Sequence, residues 1–317
     1  MLDSGDGEDQ SPIITGEDMT TPIVERITVP PPGGDAPRLV RLSDLLGDWE
    51  RDAEAARDDY MNGVPRGPVT GLPKLDRELG GCLQEGLNVV HGAPGSGKSA
   101  FALQLAGTCG CPALVVTCEM WPLELLRRHT ARITGMFLGR LKSGELEPRV
   151  SLDLARKAIA TAPQMAIADA TRSFASPEWI RQAAEATRGT SRHFLIILDS
   201  VHSWCESLPG DIPEYDRLNA AIASLRTLSS ALACPVVAIA ERNRASMSKG
   251  GLNASASTRK FEYSAETVID LGRDEDARED AGGEVPITLI LSKNRNGAAG
   301  RKVSLKFHGA LQRFREA

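Results

Sequence analysis

The stretch Gly92-Ala93-Pro94-Gly95-Ser96-Gly97-Lys98-Ser99 constrains this chain more than any other. It follows the apolar run "LNVV" and precedes "AFALQLA". It fits G-x-x-x-x-G-K-[ST], a loop that cradles nucleotide phosphates between a strand and a helix. Glycines let backbone N–H groups curl around phosphate oxygens. The helix that starts behind them turns its positive dipole end toward the same anion. Lys98 reaches the outer phosphates and Ser99 is a ligand for Mg2+. An ordinary glycine-rich turn would leave a lysine at a helix start unexplained. The spacing predicts a site for a nucleoside triphosphate with Mg2+.

The rest of the composition sets bounds. The chain has 317 residues, 41% hydrophobic and 25% charged, as in one large globular domain or two small ones. No run reaches ~18 apolar residues, so no membrane span or membrane partner is expected. "MLDSGDGEDQSP" has neither the basic start nor the apolar core of a secretory signal, which makes cytoplasmic localisation the expectation. The six cysteines match no paired C-x-x-C zinc pattern and read as reduced thiols. Net charge is −5, yet residues 1–65 hold 15 Asp/Glu against 5 Arg. The remainder is therefore mildly basic, which is compatible with a polyanionic partner.

Three segments follow from the pattern. Residues 1–41 read as a disordered acidic leader, with too few large apolar residues to offset ordering entropy. Residues 42–65 read as a linker with a docking helix. Leu42, Leu45, Leu46, Trp49, Ala53, Ala56 and Tyr60 recur at helical spacing, with Ser43 as N-cap. That apolar stripe packs either on its own domain or on a neighbouring subunit. Residues 66–317 alternate strands and helices. Strands are expected at 87–90, 113–117, 165–169, 194–199 and 235–240. Helices are expected at about 97–108, 122–135, 151–162, 177–187 and 218–232. This is an α/β pattern: a mostly parallel sheet covered by helices on both faces. "ETVIDL", "ITLILSK", "KVSLKF" and "LQRF" then follow without helices between them and read as antiparallel strands extending one edge.

Several residues are candidates for chemistry. Asp199 ends "FLIILD", where a strand-end carboxylate holds Mg2+ or, alternatively, caps a helix. Glu119 follows "ALVVTC" and is placed to orient or deprotonate an attacking water, though it is one acid among many. Residues 242–260 carry Arg242, Arg244, Lys249, Arg259 and Lys260 and no acid. Such a loop suits a nucleic-acid backbone through phosphate contacts, or is a solvated surface loop. "LSKNRNGAAGRK" reads as a hairpin tip, with Lys293 and Arg295 on one face by strand alternation.

In this order the segments resemble the motor domain of the DnaB replicative helicase family, within the RecA-like P-loop ATPases. The resemblance runs from about residue 42 to the C-terminus. "VTGLPKLDRELGGCLQEGLNVVHGAPGSGKSAFALQLA" is similar to that family's phosphate loop and the stretch leading to it. "VVTCEMWPLELLRR" is similar to the strand bearing its catalytic glutamate, which implies the base role for Glu119. "LIILDS" is similar to the Mg2+ strand ending at Asp199. "KNRNGAAGRKVSLKFHGALQRF" resembles the last hairpin and implies that Lys293 and Arg295 reach the γ-phosphate of the neighbouring subunit. The 42–60 helix resembles the family's linker helix, which docks on the next subunit. The resemblance implies a hexameric ring around single-stranded DNA and an ATP-driven helicase or translocase, with a loader or accessory protein as a further partner.

The sequence also departs from the family. The helical N-terminal domain is not seen. Glu241 stands where the family often has a phosphate-sensing glutamine. The segment 205–216 has no Lys or Arg, although a DNA-facing loop is expected near there. "TGLPKLDRELGG" and "KNRNG" are also similar to RadA-type branch-migration ATPases, without their zinc finger. KaiC-type ATPases share the phosphate loop and a glutamate near Glu241. These features leave open a second class, a regulatory ATPase switch acting through protein partners.

Overall fold

A computed structural model of the chain describes residues 39–208, 210, 213–241, 263–273 and 278–317. Most of the leader and the basic segment with Arg242, Arg244, Lys249, Arg259 and Lys260 lie outside the described residues. Two compact units divide at Asp58/Asp59.

The first unit holds a 3-10 turn, Leu42–Leu45, and most of helix α1, Leu46–Met61. Ser43 is not the N-cap that its position suggests. It lies inside the 3-10 turn, and its hydroxyl bonds Asp44 Oδ1 at 3.3 Å rather than a helix N–H. No residue of α1 is buried.

The second unit is built on one sheet with strand order β3-β2-β4-β5-β1-β6-β7-β8-β9 among the described residues. The strands are β1 (Gly86–Gly92), β2 (Ala113–Thr117), β3 (Met165–Asp169), β4 (Leu195–Asp199), β5 (Pro235–Glu241), β6 (Thr267–Arg273), β7 (Glu284–Asn294), β8 (Arg301–His308) and β9 (Arg313–Glu316). Every residue of β2 and β4 is buried. Each buried aliphatic side chain contributes roughly 1.5–3 kcal/mol, so these apolar runs are stable only with both faces covered.

The covering helices are α2 (Pro73–Glu78), α3 (Lys98–Thr108), α4 (Pro122–Thr134), α5 (Leu138–Lys142), α6 (Pro148–Thr161), α7 (Pro177–Arg188), α8 (Val201–Glu206) and α9 (Glu214–Leu232). Proline opens α4, α6 and α7, where its missing N–H costs nothing. Pleat alternation sorts the sheet into two cores. Leu114, Val116, Ile196 and Leu198 pack with α7, α8 and α9 on one face. Val115, Leu195, Ile197 and Val237 pack with α2, α3 and α4 on the other.

The antiparallel expectation holds only in part. β6 pairs parallel with β1, Asn88 opposite Thr267, and antiparallel with β7. β5 ends at Glu241 beside Gly92, whereas β6 begins near the opposite end of β1. β6 therefore starts from the same edge as β1 and runs parallel to it. The antiparallel extension is β7, β8 and β9.

Candidate nucleotide site

Because β1, β2, β4 and β5 run parallel, their C-terminal ends share one edge. Gly92 is the register partner of Glu241, and Thr117 of Asp199. The candidate residues on four separate segments are thereby brought together. A cleft of about 340 Å³ is lined by Gly95, Gly97, Lys98, Ser99, Glu119, Asp199 and Glu241, among others.

The loop closes on itself as its glycines allow. Gly97 has φ +90 and is the N-cap of α3. A Cβ there would lie 2.9 Å from Phe314 and 3.2 Å from Phe307, the stacked rings of β9 and β8, so both conformation and space call for glycine. Lys98 is buried and its Nζ donates to the carbonyls of Gly92 at 2.9 Å and Ala93 at 3.1 Å. Ser96 Oγ is buried without a hydrogen-bond partner among the described residues. A buried orphan hydroxyl in this loop is chemistry that fits a phosphate oxygen.

The charges explain one another. Burial lowers the Lys98 pKa, and Glu241, Asp199 and Glu119 oppose that shift. Burial, followed by the field of Glu119, pushes Asp199 up to about 6, against a hydrogen bond from Ser99 and the fields of Lys98 and Arg128. Three carboxylates therefore face too few cations. Ser99 and Asp199 form a set of hard oxygen donors, which fits Mg2+ held by few protein ligands plus substrate phosphates. Glu119 is reached through Thr117, whose Oγ1 donates to Met120 O at 2.6 Å and accepts from Met120 N at 3.2 Å. The Glu119 Oε1 accepts from Ser200 at 2.5 Å and Ser203 at 2.7 Å.

A model of the DnaB-like helicase C-terminal domain matches residues 67–316. The chain belongs to this family. Among curated relatives, replicative DNA helicase DnaB of Haemophilus influenzae is 25% identical over 265 residues, covering 78% of this chain and 55% of that protein. DnaB of Treponema pallidum is 27% identical over 262 residues, covering 78% and 56%. The chain thus spans little more than half the length of these relatives. Among solved structures, a DnaB-like replicative helicase, described with its interactions with primase, has a TM-score of 0.71 at 18% identity, covering 87% of this chain and 68% of that one. A separately solved ATPase domain also has a TM-score of 0.71, at 17% identity, covering 87% and 99%. A KaiC-like protein from Pyrococcus horikoshii reaches 0.54 at 17% identity, covering 80% and 99%. These three share the fold, which is RecA-like.

In this DnaB-like domain Lys293 and Arg295 do not line the cleft of their own chain. Alternation does not relate them, because Arg295 lies in the turn beyond Asn294, the last residue of β7. Lys293 Nζ donates to Tyr263 O at 2.9 Å, and Arg295 Nη1 lies 3.1 Å from Glu266 Oε1. The structure adds cleft residues that sequence reasoning missed. Arg128 on α4 donates to Gln312 Oε1 at 2.6 Å, and both face the cleft with Phe307 and Ser200. Arg128 carried one weak signal, its place on the helix that follows Glu119. Gln312 carried none, since only the β8–β9 packing brings it there. Among the described residues no helix is long and apolar enough to cross a membrane, and no cluster of three or more His, Cys, Asp or Glu could hold a metal ion.

Proposed function

We propose that this chain is an ATP-hydrolysing motor of the DnaB type, acting on single-stranded DNA as a ring oligomer with shared active sites. The observation that carries the reading is the meeting of Lys98, Ser99, Asp199 and Glu119 in one cleft at the sheet's C-terminal edge. The loop Gly92–Ser99 would hold the triphosphate of ATP, with Lys98 turning from its loop carbonyls to the outer phosphates. Ser99 and Asp199 would hold Mg2+, which when bound supplies positive charge against the developing phosphate charge. Glu119 orients the attacking water and takes its proton. Lys293 and Arg295 act on the neighbouring subunit's nucleotide, worth on the order of 10³–10⁵ in rate for a trans finger. Helix α1, with no buried residue, docks on that neighbour. The basic segment 242–260 contacts the DNA backbone, and a loader or accessory protein completes the assembly.

The test separates holding from hydrolysis. Lys98→Ala loses ATP binding. Glu119→Gln keeps binding and loses turnover by roughly 10²-fold or more. Wild-type turnover in Glu119→Gln contradicts the reading.

A second reading, a regulatory ATPase switch with a protein output, is favoured by Glu241. A carboxylate lining the cleft beside Lys98 repels a γ-phosphate and weakens coupling to DNA.

A further inference from the structure

Glu119, Ser200 and Ser203 form a closed triangle of oxygens. Ser200 Oγ donates to Glu119 Oε1 at 2.5 Å, Ser203 Oγ donates to the same oxygen at 2.7 Å, and the two hydroxyls are 3.2 Å apart. The triangle exists because β2 and β4 end side by side, with Thr117 opposite Asp199 and Cys118 N donating to Asp199 O at 2.8 Å. We propose that Ser200 and Ser203 are positioning residues that hold the Glu119 carboxylate for its work on water. The proposal rests on the assignment of Glu119 to that work.

Both hydroxyls address one oxygen, and neither addresses Oε2. A glutamate side chain has three rotatable bonds, so an untethered carboxylate spends most of its time out of line with a bound water. Two donors on one oxygen restrain the carboxylate, and neither competes with a water for Oε2. The N-cap and first turn of α8 supply the two donors, and that turn is itself anchored. His202, between the serines, accepts the N–H of Glu241 through Nδ1 at 3.4 Å, tying that turn to the end of β5.

Ser200 has a second duty that explains it without any catalytic role. Its Oγ accepts from Ser203 N at 3.4 Å and caps α8. The Ser203 hydroxyl has no part in that cap. Its single proton goes to Glu119, and the Ser200 oxygen lies beside it at 3.2 Å. Ser203 therefore separates positioning from capping.

The experiment measures kcat and KM for ATP, affinity for a fluorescent ADP analogue, and thermal melting, on the full chain. The variants are Ser203→Ala, Ser203→Thr, Ser200→Ala/Ser203→Ala and Glu119→Gln. Ser203→Ala is expected to lower kcat roughly tenfold, and the double variant roughly a hundredfold, with KM and ADP affinity within about twofold of wild type. Ser203→Thr keeps a hydroxyl and recovers most of kcat. Wild-type kcat in Ser203→Ala, or equal loss in Ser203→Ala and Ser203→Thr, overturns the positioning role. If Glu119→Gln is inactive while the serine variants match wild type, the positioning role alone fails. If Glu119→Gln turns over normally, the assignment of Glu119 fails and the positioning role with it.

Discussion

The guanidinium of Arg295 lies 3.1 Å from the carboxylate of Glu266 in the same chain. The main chains are tied as well, Arg295 N donating to Glu266 O at 3.1 Å. Arg295 is thus held at the hairpin tip, outside the cleft of its own subunit. If it acts on a neighbour, two inactive variants should complement each other. Lys98→Ala subunits retain a working Arg295, and Arg295→Ala subunits retain a working loop. Mixing them is expected to restore part of the ATPase rate, while Arg295→Ala alone binds ATP without turnover. Near wild-type turnover in Arg295→Ala would refute the trans role.

Asp199 makes the nucleotide-free protein sensitive to pH. Its folded pKa is raised to about 6 from the ordinary value of 3.8, first by burial and then by Glu119. A carboxyl raised on folding binds its proton more tightly when folded. The stability it contributes is present below pH 3.8 and is lost as pH rises through about 6. Above that range the ionised form costs up to about 3 kcal/mol. Asp199→Asn should therefore raise Tm at pH 8 by several degrees, with a smaller gain at pH 5. Melting curves at the two pH values check this, and no gain at pH 8 contradicts it. The same variant should lose Mg2+-dependent turnover.

The packing between α3 and α4 yields a stability prediction. A Cβ at Gly107 would sit 2.4 Å from Arg132 Nη2 and 3.0 Å from His129 Cε1. Both side chains are buried, and burial drives the Arg132 pKa down to about 10 and the His129 pKa to about 4. Arg132 Nη2 meets His129 Nδ1 at 3.2 Å, and its Nε has no partner among the described residues. In an open helix Gly→Ala gains about 1 kcal/mol, but overpacking costs about 1–3 kcal/mol, so Gly107→Ala should destabilise. Arg132→Met removes a buried charge with no carboxylate partner among the described residues, at the cost of the bond to His129 Nδ1, and should change stability little. In that background the cost of Gly107→Ala should shrink. Equal costs in both backgrounds, read from denaturant melts, contradict the crowding account.

Much of this architecture is legible in the sequence because parallel strands are buried on both faces. "ALVVT" and "FLIILD" have no polar residue before their last positions, and each emerges as a strand. The phosphate loop is legible for the same kind of reason, since its glycines and lysine leave few alternative uses. Short elements are not legible. Helix α8 spans only Val201–Glu206 and offers no period to read. The direction of β6 depends on where the preceding connection delivers the chain, which no local pattern encodes. Ser200 and Ser203 look like ordinary polar residues until the β2–β4 register brings Glu119 beside them. Gln312 becomes visible only once Phe307 and Phe314 stack.

Coupling to DNA is the central claim, and the most direct measurement is ATPase rate with and without single-stranded DNA across salt. DNA is expected to raise turnover, and binding to weaken steeply as salt rises because phosphate contacts release counterions. Turnover indifferent to DNA, with no salt-sensitive binding, would contradict the motor reading and leave the regulatory ATPase in its place.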